Sequence, residues 1–138
     1  MNKYIIETKN LTKKYGSQKS VADLNIHVQK GRIYGLLGRN GAGKTTTMKM
    51  LLGLTKPTSG EVKIWGKSLQ GNEKKLLPRI GSLIESPGFY PNLTATENLR
   101  IFATLRGVPN NHAIQDALDL VELPYKDKKL FSQYSLGM

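Results

Sequence analysis

One eight-residue run constrains this chain more than any other feature: Gly38-Arg39-Asn40-Gly41-Ala42-Gly43-Lys44-Thr45. The pattern G-x-x-x-x-G-K-[ST] cradles phosphate, and it does so where a strand feeds a tight loop that opens a helix. Its glycines let the backbone turn without a Cβ in the way. Successive amides then point inward as an anion nest, at the positive end of the helix that starts near Lys44. Lys44 is expected to reach the β- and γ-phosphates of a triphosphate, and the Thr45 hydroxyl to coordinate a Mg²⁺ that also holds phosphate oxygens. The flanks agree with this reading. Arg32 to Leu37 is a short apolar run, predicted as a buried strand, and Thr45 to Leu54 reads as a helix with Met48, Leu51 and Leu52 on one face.

Upstream, Tyr4 to Thr8 and Val21 to Val28 carry β-branched residues in partial alternation. With turns at Lys13 to Ser17 and Lys30-Gly31, they predict an opening antiparallel layer. Downstream, Lys56-Pro57-Thr58-Ser59-Gly60 breaks the helix and introduces a strand at Glu61 to Trp65, closed by Gly66. Trp65 is expected to pack or to make a strand-end contact. A second strand is predicted at Ile80 to Ile84, stopping at Ser86-Pro87-Gly88, where an α/β sheet places functional loops. The chain then turns helical. Thr94 and Glu97 have capping-box spacing, Leu99, Phe102 and Leu105 continue that helix, and Gly107 is placed to end it. A further helix from about Asn111 aligns Ile114, Ala117, Leu118 and Val121 before Pro124.

The 138 residues suit one domain, and their apolar share can bury a modest core. The chain has no cysteine, which excludes a disulfide framework, a thiolate metal site and a cysteine nucleophile, and makes an intracellular setting the simple expectation. His27 and His112 lack companions at metal-ligand spacing. No apolar run approaches the ~18 residues of a membrane span, so any membrane role is expected to pass through a partner. A net charge of +11 attracts polyanions. Yet the lysines are scattered through Lys13-Lys14, Lys74-Lys75 and Lys126 to Lys129 without arginine and aromatic interleaving. That distribution predicts a solvated basic surface and no specific nucleic-acid partner.

Four segments together carry a resemblance to a known family: Asn10 to Gly16, Gly38 to Thr45, Ile80 to Tyr90, and Ser135-Leu136-Gly137-Met138. Over essentially its whole length the chain resembles the nucleotide-binding subunits of ABC transporters, and its Ile84 to Tyr90 run looks most like the bacitracin and lantibiotic export or immunity branch. The resemblance implies an α/β P-loop NTPase of ABC type. It would comprise an antiparallel β subdomain, an incomplete RecA-like core over about residues 1–90, and the start of a helical subdomain over about 91–138. It implies ATP and Mg²⁺ as ligands, with Gly38, Asn40, Gly41, Ala42, Gly43, Lys44, Thr45 and Thr46 on the nucleotide. Tyr15 matches the family's adenine-stacking aromatic, a flat ring being able to hold a base without directional bonds. Glu85 stands where most members carry a glutamine that contacts Mg²⁺ and the attacking water. With Lys44 it is the catalytic candidate, and with Thr45 the metal candidate. Ser135 and Gly137 resemble the start of the signature sequence, with leucine in place of its first glycine. They become candidates for ATP held by the opposite subunit.

The same resemblance implies a transmembrane permease as partner, a second nucleotide-binding subunit sandwiching ATP, and a place in the cytoplasm at the inner face of the membrane. Hydrolysis would drive export of a peptide antibiotic. Neither the family's apolar strand ending in aspartate and catalytic glutamate nor its switch histidine occurs among these residues. The expectation is therefore an N-terminal fragment that binds nucleotide weakly and does not sustain turnover. Two other readings stay open: a soluble ATPase of this fold serving translation or DNA repair, and a non-catalytic basic module binding some other phosphate.

Overall fold

A single long strand, β1 (Tyr4–Tyr15), organises the first half of the molecule. In this computed structural model, which describes residues 3–86, 88–108, 110–135 and 137–138, β1 is paired along both edges. Its far end joins β2 (Gln18–Leu24) in an antiparallel hairpin, with Tyr15 opposite Gln18 and Lys13 opposite Val21. Its near end pairs with β3 (His27–Gln29) on one edge and β4 (Ser59–Ile64) on the other, both antiparallel. The two-residue β5 (Lys67–Ser68) closes on β4. The predicted opening layer is thus present, but β1 runs on to Tyr15, leaving Gly16 and Ser17 as the turn where Lys13 to Ser17 had been expected.

Helix α1 (Lys44–Leu51) packs on this sheet, and the shared core comprises Leu11, Val21, Met50, Val62, Ile64, Leu69 and Leu76. The buried positions of α1 are Thr47 and Met50, whereas Met48, expected on the inner face, is 40% exposed. A short α2 (Glu73–Leu76) and a 3₁₀ turn over Leu77–Arg79 follow; the polar stretch there had given no helical signal. Trp65 packs at the core's edge with the Arg79 guanidinium 4.0 Å over its ring, in line with the expected packing role.

Two predicted strands do not form. Arg32 to Leu37 is irregular, with Ile33 and Leu37 almost wholly exposed, and residues 80–84 take no part in the described sheet. An apolar run becomes a strand only where a neighbouring backbone offers a ladder of donors and acceptors. The described sheet offers these segments none, because every pairing in it is antiparallel and lies among β1 to β5.

The chain divides into two compact units after Ile84. The second is helical. α3 (Ala95–Leu105) begins with the expected capping box, Glu97 N–H donating to Thr94 Oγ1 and Thr94 N–H to the Glu97 carboxylate at 2.8 Å. It ends in a Schellman turn: Gly107, at φ 72°, donates to Thr104 O while Val108 N–H reaches Ala103 O. Glycine is suited to this turn because the left-handed backbone brings a Cβ close to the neighbouring carbonyl. α4 (Asn111–Leu120) is capped by the Asn110 side chain and buries Ile114 and Leu118, while Ala117 and Val121 of the predicted stripe are exposed.

Sequence inspection did not single out Asn98, which is 1% exposed on α3. Its Oδ1 accepts from Tyr90 N–H at 2.7 Å, and its Nδ2 donates to the carbonyls of Tyr90 and Thr94. One buried amide thereby satisfies the loop that leads into the helix. In the same unit Phe89 meets Phe102 and Phe131 edge-on at 5.3 and 5.2 Å.

Candidate functional site

The P-loop is built on β2 as much as on its own glycines. Gly43, at φ 88° and ψ 8°, is the N-cap of α1. A Cβ there would run into Ser20 O and lie 2.9 Å from Val21 Cγ2, so only glycine lets the loop close against the strand. Ser20 Oγ and Thr46 Oγ1 share a hydrogen bond of 3.1 Å, a second tie that sequence reading missed because its partners lie 26 residues apart.

Lys44 folds back over the loop. Its Nζ donates to Gly38 O at 2.6 Å and to Arg39 O at 2.7 Å, and Ala42 N–H closes a turn onto Arg39 O. The ammonium therefore sits inside the curve of the loop, with a third proton to give. The first helical bond runs from Thr47 N–H to Gly43 O at 2.8 Å, which leaves the amides of Lys44, Thr45 and Thr46 ahead of the ladder and directed out of the helix start. Three successive threonines then separate by role. Thr47 Oγ1 is buried and donates to Gly43 O, Thr46 Oγ1 is held by Ser20, and Thr45 Oγ1 makes no hydrogen bond among the described residues. An exposed hydroxyl beside free amides and an ammonium is a donor set suited to anionic oxygens and to the hard cation they carry.

Tyr15 closes β1 at the hairpin, opposite Gln18 and so two residues along β2 from Ser20, the contact point of the P-loop. It is 54% exposed, with Lys13 Nζ 5.1 Å from its ring centre. Asn40 and Gly41 lie on the exposed rim of the same loop.

The remaining candidates belong to the second unit. Glu85 opens it, exposed and at φ 66°, a left-handed conformation that costs a side-chain-bearing residue roughly 1–2 kcal/mol. Ser135 and Gly137 are exposed near its end, after the 3₁₀ turn Phe131–Gln133, whereas Leu136 between them and Pro87 after Glu85 lie outside the described residues. Ahead of Ser135, the Tyr134 hydroxyl is buried without a partner among the described residues. Burial first, and the Asp127 charge second, raise that phenol's pKa above its ordinary value. The described residues hold no cluster of three metal-binding side chains and no helix long and apolar enough to cross a membrane.

Comparison with known proteins extends this picture. Bacitracin transport ATP-binding protein BcrA of Bacillus licheniformis is 58% identical over 134 residues, 97% of this chain and 44% of that protein. Lantibiotic transport ATP-binding protein SrtF of Streptococcus pyogenes is 39% identical over 97% of this chain and 57% of its own length. The chain thus spans about half the length of these relatives. Among solved structures, an ATP-binding subunit of an ABC transporter superposes with a TM-score of 0.78 at 28% identity, covering 95% of this chain and 56% of that one. The ABC transporter family profile matches residues 21–138, from β2 through the P-loop and both long helices. On this similarity, which covers most of the chain, the protein belongs to the ABC transporter family of ATP-binding proteins.

Proposed function

We propose that this chain carries the ATP-binding face of a subunit that powers an ABC exporter, with a peptide antibiotic of the bacitracin or lantibiotic kind as cargo. The observation that carries the reading is the P-loop itself, which brings the Lys44 ammonium into the curve of the loop and leaves the first-turn amides, and a Thr45 hydroxyl unengaged among the described residues, at the start of α1. The names of the relatives, which are ATP-binding proteins of bacitracin and lantibiotic transport, support the choice of cargo.

In this reading Lys44 exchanges its two loop carbonyls for β- and γ-phosphate oxygens, and the amides of Gly41, Gly43, Lys44, Thr45 and Thr46 hold the remaining anionic edge. Gly38, Asn40 and Ala42 shape the rim. Thr45 is the residue that would hold Mg²⁺, which when bound neutralises charge between the phosphates. Glu85, in the second unit, is assigned to metal contact and to orienting the attacking water. Its left-handed backbone is in keeping with that role, since strain of this kind gathers at functional sites. Tyr15 offers its ring to adenine, and Ser135 and Gly137 serve the ATP of a second subunit. Closure of two such subunits around ATP, and reopening after hydrolysis, would move a permease partner at the inner face of the membrane.

Calorimetric titration with Mg-ATP tests the core of this. Wild-type chain is expected to bind, and Lys44→Ala to bind at least tenfold more weakly, since a charge-assisted hydrogen bond contributes about 1.5–3 kcal/mol. Equal affinities for the two proteins would remove the cradle from the account.

A further inference from the structure

The base-binding end of the site has a support that the P-loop pattern does not contain. Lys13 Nζ stands 5.1 Å from the centre of the Tyr15 ring and at the same time donates to Lys56 O at 2.8 Å. Lys56 belongs to the turn that leaves the end of α1, and that turn is sewn to β1 twice more. Thr58 N–H donates to Thr12 O at 2.8 Å, and Lys14 N–H donates to Thr58 Oγ1 at 3.0 Å. The ammonium is therefore fixed by a carbonyl on one side while it covers one face of an aromatic ring that is 54% exposed. α1 presents the phosphate cradle at one end and, through this turn, anchors the tyrosine's cation at the other.

We propose that Lys13, clamped by the Lys56 carbonyl, is a positioning residue for the Tyr15 ring and raises its affinity for the purine of the bound nucleotide. The inference rests on the reading of Tyr15 as the adenine platform. Two physical effects act together. A cation on one face of a tyrosine ring is attracted by its quadrupole and limits the rotamers the ring can take, so less freedom is lost when a base stacks on the other face. The same cation draws electron density away from the open face, which reduces the repulsion between two stacked π-systems. Lys13 touches neither phosphate nor base and acts only through Tyr15.

The test titrates the 138-residue chain with Mg-ATP and, separately, with Mg-tripolyphosphate, which has the anionic chain and no base. Lys13→Met is expected to weaken ATP roughly two- to fivefold, to leave tripolyphosphate unchanged, and to add nothing in a Tyr15→Ala background. Lys13→Arg is expected to restore ATP affinity, and Lys13→Gln to repeat the Met result. Equal weakening of both ligands would make Lys13 a simple attractor of anions and overturn the proposal, as would an unchanged ATP affinity. Wild-type chain that binds neither ligand overturns the cradle reading as well, and wild-type chain that binds both equally overturns the adenine platform. A preference for ATP that Lys13→Met leaves intact overturns the positioning role alone.

Discussion

At Gly43 a dihedral and a neighbour impose the same requirement: φ 88° places the residue where side chains are strained, and the Ser20 carbonyl occupies the space of a Cβ. Gly43→Ala must therefore either push α1 away from β2 or bend the loop. The expected cost is about 2 kcal/mol or more of stability, read as a lower urea midpoint at unchanged slope, together with weaker ATP binding. Gly38, by contrast, meets nothing tighter than Ala42 Cβ at 3.1 Å. The candidacy of Lys44 and Thr45 could be read from the sequence because the P-loop pattern is a statement about local backbone within one run of eight residues. Ser20, Asn98 and Lys13 were not, since what each does depends on a partner that another part of the fold supplies.

Among the elements, α3 shows local chemistry producing a local result. Thr94 and Glu97 cap one another as their spacing predicts. The bonds that Glu97 accepts, first from the Thr94 backbone and then from its hydroxyl, hold the carboxyl below the ordinary glutamate value. A carboxyl whose folded pKa is depressed stabilises the fold fully above its unfolded value and loses that contribution as pH falls through the folded one. Acidification below the usual glutamate range should accordingly fray the first turn of α3. The Thr94 amide resonance would report it by NMR, and Glu97→Gln, which removes the titrating carboxyl, should abolish that step in the titration. α1 is a different case. Its apolar residues suggested a face of Met48, Leu51 and Leu52; Leu51 does pack against the core, but the fully buried positions are Thr47 and Met50 and Met48 is exposed, because the loop held on β2 sets the rotation of the helix. The direction of a helical stripe can be read from sequence, while the angle at which a neighbour receives it cannot.

For the molecule as a whole, the net charge of +11 acts at longer range than any of these contacts. It should draw heparin or a short oligonucleotide with an affinity that falls steeply between low and physiological salt, since counterion release drives such binding. ATP held by directed amides should lose far less over the same range. A parallel titration of both ligands at two salt concentrations checks this, and equally steep slopes would assign nucleotide uptake to bulk charge. Sequence alone was sufficient for the P-loop, the antiparallel opening, the β4 strand and the capping and termination of α3. The determinants of each lie within a few residues of one another. Only the tertiary structure decided that Arg32 to Leu37 and residues 80–84 stay out of the sheet, that β1 is shared among three partner strands along its length, and that a lysine and a turn 43 residues away meet beside Tyr15. Apolar character qualifies a segment for a strand or a helix face, but pairing and contact belong to two segments at once, and the second is named only by the fold.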